Sequence, residues 1–134
     1  MKRSVLLVAC LSSGCGGAAE QEPSLETFRN GRDGLCVIQD GEQLRAGLVT
    51  YGSGDTNCSL AGSAVRDGDS LTITPRGEQS CRVTVAIGKG RAVIGPRSNA
   101  CAYYCGPGAN FSGTALTRDE ADAPVTDFAG DPLC

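Results

Sequence analysis

At 134 residues, with 12 basic and 15 acidic side chains and a formal charge of −3, the chain suits one small acidic domain. Histidine is absent, which removes Ser-His-Asp and Cys-His catalysis, histidine general bases and the common zinc sites. No basic stripe interleaved with aromatics is present, so charge argues against a nucleic-acid partner.

Met1-Lys2-Arg3 is a basic start, Val5 to Leu11 a short apolar run, and Ser12-Ser13-Gly14-Cys15-Gly16-Gly17 a cluster of small residues. That order marks a secretory signal peptide, with an apolar run far too short to span a bilayer. A cysteine straight after small residues resembles the lipobox of bacterial lipoproteins, where cleavage precedes the cysteine and its sulfur is lipidated. The resemblance implies lipidation at Cys15, although Ser12 stands where that family usually has Leu, Val or Ile. Two alternatives stay open, a cut before Cys10 and ordinary cleavage after Ala19. The expected division is a signal peptide over 1–14, a lipid-anchored flexible tether over 15–27, and a single β domain over 28–134. Within the tether, Ser24 and Glu26 could alternatively start one helical turn through Phe28.

Cysteine arithmetic points the same way. Cleavage before Cys15 leaves Cys36, Cys58, Cys81, Cys101, Cys105 and Cys134, an even set that reads as three disulfides in an exported chain. Cys81 with Cys101 is the favoured pair, and a terminal Cys134 predicts a tail pinned to the body.

The β-type runs follow in chain order. Leu35-Cys36-Val37-Ile38-Gln39 ends at the turn Asp40-Gly41. Gln43 to Tyr51 carries Leu44, Ala46, Leu48 and Thr50 on one face, and Asn57 to Val65 alternates through Cys58, Leu60 and Gly62. Asp67-Gly68-Asp69 is a turn; Leu71 and Ile73 then alternate with Thr72 and Thr74 up to Pro75. The clearest period-two pattern places Cys81, Val83, Val85 and Ile87 opposite Arg82, Thr84 and Ala86. A three-residue link, Gly88-Lys89-Gly90, joins it to Arg91-Ala92-Val93-Ile94-Gly95 as a hairpin. A last weak strand spans Asn110 to Thr117, marked by Phe111 and Ala115. Thr117-Arg118-Asp119-Glu120 has capping-box spacing, with Pro124 closing the window. Short strands at this spacing predict an all-β fold, a small antiparallel barrel or sandwich of six to eight strands, disulfide-bonded. With three Phe, three Tyr and 19 Gly, the core is thin and the bridges are needed for stability.

The chemistry-bearing candidates are few. Cys101-x-x-x-Cys105 lacks the redox spacing and reads as structural. Asp67/Asp69 and Asp119/Glu120/Asp122 match no calcium loop and read as turns and a helix start. No catalytic residue, metal or cofactor is expected. After loss of Lys2 and Arg3, ten basic residues face fifteen acidic ones, a net of −5, and arginine outnumbers lysine, which favours bidentate contacts. Two features read as possible partner contacts: the tip carrying Lys89 and Arg91, and Tyr103-Tyr104 beside Gly106-Pro107-Gly108.

Cys101-Ala102-Tyr103-Tyr104-Cys105-Gly106-Pro107-Gly108-Ala109 resembles a segment of uncharacterised small lipoproteins of alphaproteobacteria, and the resemblance extends to Gly47–Gly52. It implies no activity. A looser, architectural likeness is to periplasmic lysozyme inhibitors, whose motif is not visible here. The expectation is a non-enzymatic lipoprotein, anchored at the periplasmic face of the outer membrane, serving as a binding or structural module. The alternative is an inhibitor of an envelope-directed hydrolase such as lysozyme.

Overall fold

The computed structural model describes Gly14 and residues 22–134; the signal peptide and the expected lipidation site, Cys15, lie outside the described residues. Eight strands occur in order: β1 (Ser24–Asn30), β2 (Asp33–Asp40), β3 (Gln43–Tyr51), β4 (Asn57–Asp67), β5 (Ser70–Pro75), β6 (Val83–Gly88), β7 (Arg91–Arg97) and β8 (Ala115–Arg118). Each pairs antiparallel with the next, and β8 returns to β1, so the sheet closes into a barrel. Of the two expected architectures, the barrel is the one formed.

The lumen is filled by the alternation visible in the sequence. Phe28, Leu35, Leu48 and Leu60 stand directly opposite one another across β1 to β4, and all are buried. Leu71, Val85 and Ile94 continue this belt on β5 to β7. Each such side chain contributes about 1.5–3 kcal/mol on burial. Because strands in this topology reverse at every connection, the turns alternate between the two ends of the barrel. One end carries the β2–β3, β4–β5 and β6–β7 turns together with the start of β1. The opposite end is plugged by a 3₁₀ helix, η1 (Asn99–Tyr104), and by Phe111, fully buried in the loop after it.

Several local expectations change. β1 begins at Ser24, so residues 24–27, expected in the tether or a helical turn, are strand; inward Phe28 and outward Thr27, both buried, hold them there. The last strand is Ala115–Arg118 rather than Asn110–Thr117, because Phe111 enters the core from a loop. Thr117-Arg118-Asp119-Glu120 forms no helix: Arg118 ends β8, and the chain turns through Asp119, whose N–H bonds Thr27 O at 2.7 Å. The β6–β7 link is two residues, Lys89-Gly90, with Gly88 paired to Arg91. A register shift between Val83 and Val85 sets two β7 residues, Gly95 and Pro96, against Thr84, a bulge on β7 at a proline with no N–H to give the ladder.

The C-terminal segment lies as a strap on the outer face of β1 to β3. Arg29 Nε pairs with Asp119 at 3.1 Å and its Nη2 donates to the carbonyls of Ala123 and Pro124. Arg118 pairs with Asp122 at 2.7 Å, which holds the Asp122 carboxyl below its ordinary value. Farther along, Val125 and Leu133 pack with Cys36, Val49 and Tyr51 as a second small core. Gly47 makes this possible: a Cβ there would stand 2.4 Å from Leu133 Cβ. The Cys36–Cys134 bridge then locks the strap, as expected for a pinned tail.

Three disulfides form: Cys36–Cys134, Cys58–Cys105 and Cys81–Cys101, the last being the pair favoured from sequence. Their sequence separations are 98, 47 and 20. If they act by restricting the unfolded chain, removing each as a pair costs about 5, 4 and 3 kcal/mol respectively. Denaturant midpoints of the three double-alanine variants should fall in that order, and denaturing thiol counts on these six cysteines should find none free. A larger loss from the Cys81–Cys101 pair would place its effect on the native seating of η1 instead.

Candidate functional site

The inward side chains pack into one buried cluster, and the grooves described below lie on the outside of the barrel. The residues singled out from sequence do not form one site. Lys89 and Arg91 sit at the β6–β7 turn, whereas Tyr103 and Tyr104 lie on η1, between β7 and β8, at the opposite end. Sequence proximity concealed this, because β7 runs the length of the wall between them.

The Lys89 tip is held by its neighbours. Ile87 N–H donates to Asp69 O at 2.7 Å, and Arg118 N–H to Gly90 O at 2.8 Å. Lys89 and Gly90 have φ of 54° and 74°, the left-handed pair of a type I′ turn, whose twist matches the flanking strands. Asn, Asp or Gly usually fills the first of these positions, and a lysine there is strained. Beside it lies a shallow groove of about 380 Å³ bordered by Asp69, Ala86, Lys89, Arg91 and Val93.

At the other end, Tyr103 is 86% exposed and meets Tyr104 edge to face, with ring centroids 5.2 Å apart. Tyr104 packs against the core. Its phenol is raised above the ordinary value by partial burial, then by Glu78 and Tyr103. The Cys81–Cys101 and Cys58–Cys105 bridges bracket these rings, so the pair stands on a fixed platform. Among the acidic candidates, Asp119 and Asp122 are the partners of Arg29 and Arg118, Asp67 ends β4, and Asp69 lies in the two-residue β4–β5 turn.

A third feature escaped sequence reading. Arg45 on β3, with Arg76 and Arg82 from the β5–β6 loop, lines a groove of about 710 Å³ across β3 to β5. Arg29, Arg32, Arg66 and Arg118 each pair with a carboxylate, and Arg97 bonds Asn110. Among the described residues, the three groove guanidiniums have no such partner. Within the groove β4 and β5 approach closely at Gly62, where a Cβ would stand 1.9 Å from Thr74 O. The only signal for it in the sequence was the excess of arginine over lysine.

No family model, curated protein or solved structure matches this chain.

The strain at Lys89 gives a direct check. Lys89→Asn keeps the turn and relieves the left-handed penalty, so it should raise stability by about 1 kcal/mol. Thermal denaturation measures this; an unchanged or lowered midpoint would mean that the lysine makes a stabilising contact which offsets the strain.

Proposed function

We propose that the protein is an exported, lipid-anchored binding module of the bacterial cell envelope, not an enzyme, that meets its partner on the outer surface of the barrel. The filled lumen carries this reading: a barrel whose interior is packed side chain to side chain cannot hold a ligand inside. Three disulfides support an oxidising compartment. The basic start, apolar run and small residues before Cys15 support the anchor. β1 starts at the Lys89 end of the barrel, so the chain enters the domain at the end opposite Tyr103 and Tyr104. Mass spectrometry of the membrane fraction should find mature protein beginning at diacylated Cys15. An unmodified N-terminus at Glu20 in soluble periplasm would overturn the anchor.

The second reading, an inhibitor of an envelope-directed hydrolase such as lysozyme, is favoured by the strained lysine. Strain of this kind persists at contact residues when the surroundings enforce it, and a cation on a rigid tip suits a carboxylate-lined cleft. Lys89→Asn should then weaken inhibition about 30-fold or more, as truncation of one member of a desolvated charge pair does. Full inhibition by that variant, with loss on Tyr104→Ala, would move the contact to the η1 platform.

A further inference from the structure

We propose that the groove lined by Arg45, Arg76 and Arg82 binds a multiply charged oxyanion, with phosphate or carboxylate groups carried on a hydroxyl-rich ligand. The inference deepens the reading of the domain as a binding module, but it does not depend on the lipid anchor.

The electrostatics come first. The chain is acidic overall, and four of its arginines are already matched to carboxylates. Three arginines line one groove, and among the described residues one acidic residue, Glu42, shares the lining with them. The arrangement leaves a local positive excess on a negatively charged protein. A bound anion neutralises it, and field lines focus in a concave site. Glu78, the nearest acid in sequence to Arg76, is occupied within its own loop, where its Oε1 accepts the Ser80 N–H at 2.8 Å.

Preorganisation is the second observation. The loop that supplies two of the arginines is fixed at both ends. Arg76 N–H donates to Ala61 O at 3.4 Å. Arg82 follows the bridged Cys81, and its backbone is clasped by Ser98: Arg82 N–H donates to Ser98 Oγ at 2.9 Å, and Ser98 N–H to Arg82 O at 3.0 Å. Ser98 Oγ in turn donates to Ser80 O at 2.6 Å. Holding the backbone under a guanidinium lowers the ordering cost of binding.

The rest of the lining sets the ligand's character. Gln43, Ser63, Thr74 and Gln79 are in the lining with their amides and hydroxyls, and among the described residues no aromatic ring borders the groove. A flat hydrophobic ligand finds no stacking surface, whereas a carrier bearing hydroxyls finds hydrogen-bond partners between the charges. Arginine's planar fork matches carboxylate and phosphate oxygens in bidentate fashion. The volume falls within the range of small-ligand sites, about 300–1,000 Å³.

The test titrates the purified, disulfide-oxidised protein by calorimetry at low ionic strength with two probes, tripolyphosphate and trigalacturonic acid. Binding of one probe and not the other assigns phosphate or carboxylate chemistry. Affinity should fall as salt rises, and amide shifts on binding should concentrate at Ser63, Thr74 and Gly77. Arg45→Gln, Arg76→Gln and Arg82→Gln should each weaken binding about tenfold or more, the loss expected for one charge-assisted hydrogen bond. Arg32→Gln removes the same charge from the β1–β2 turn and should change affinity less than twofold. The proposal is overturned if neither probe binds, if Arg32→Gln costs as much as the groove variants, or if the shifts map to the Lys89 turn. Each of those outcomes leaves the lipid anchor and the inhibitor reading to their own experiments.

Discussion

The seam between β1 and β8 is the constraint on which the rest of the molecule depends. Only two residue pairs, Phe28 with Arg118 and Arg29 with Thr117, join these strands. Without them β1 and β8 would be open edges, exposing the leucine belt and a row of unpaired backbone groups. So short a ladder is reinforced from the side chains. Arg118 Nη1 donates to Thr27 O at 3.1 Å and also bonds Asp119 O and Asp122. Asp119 N–H closes on Thr27 O from the next turn, and Arg29 reaches the strap from the other strand. The residues that close the barrel are thus the ones that start the C-terminal strap, and the strap ends in the Cys36–Cys134 bridge. Closure and the longest disulfide loop act on the same strands.

The remaining two bridges act at the opposite end. Cys58–Cys105 and Cys81–Cys101 fasten a 3₁₀ helix over the mouth of the barrel. An isolated 3₁₀ turn has little stability of its own, and no long aliphatic residue anchors this one. Cys101 is the buried residue of the helix itself, bridged to the fully buried Cys81, so covalent attachment supplements little apolar mass. With three Phe and no Trp in the chain, an eight-strand lumen is filled mainly by Leu, Ile and Val, and the loops above it are stapled. The same staples immobilise what the loops present: Arg82 next to Cys81, and Tyr103 and Tyr104 between Cys101 and Cys105.

Legibility in the sequence followed how directly each element answers to one face. β6, β5 and β3 have lumen on one side and solvent or a thin cover on the other, and their alternation was plain. β1 was not, because the strap inverts the rule: outward Thr27 is as buried as inward Phe28, while Leu25 faces out and is 36% exposed. β8 is four residues long, too short for a period to register, and its ends are fixed by arginine contacts remote in sequence. The Cys81–Cys101 and tail bridges could be anticipated from chain return and a terminal cysteine; Cys58–Cys105 depends on where η1 comes to rest. The arginine groove was invisible because its members come from β3 and from a loop more than thirty residues later. Their grouping follows from the register that sets Arg45 opposite Ser63 and Ser63 opposite Thr74.

Two concentrations of positive charge emerge on an acidic barrel, and their settings differ in a way that bears on use. The Lys89 tip projects from a tight turn beside the mixed-charge groove that includes Asp69; its cation meets whatever surface approaches and suits a partner with a cleft of its own. The Arg45, Arg76 and Arg82 set lines a groove that also includes Gly62, Ser63 and Ala64, so the ligand proposed for it would be received there instead of being entered. The clasp of Ser98 and the Cys81–Cys101 bridge hold the loop that carries Arg82. Nothing in the barrel's closure or packing requires arginine at these positions, because the lumen belt and the strap are complete without them. Their grouping in one groove is the observation from which oxyanion binding there is proposed.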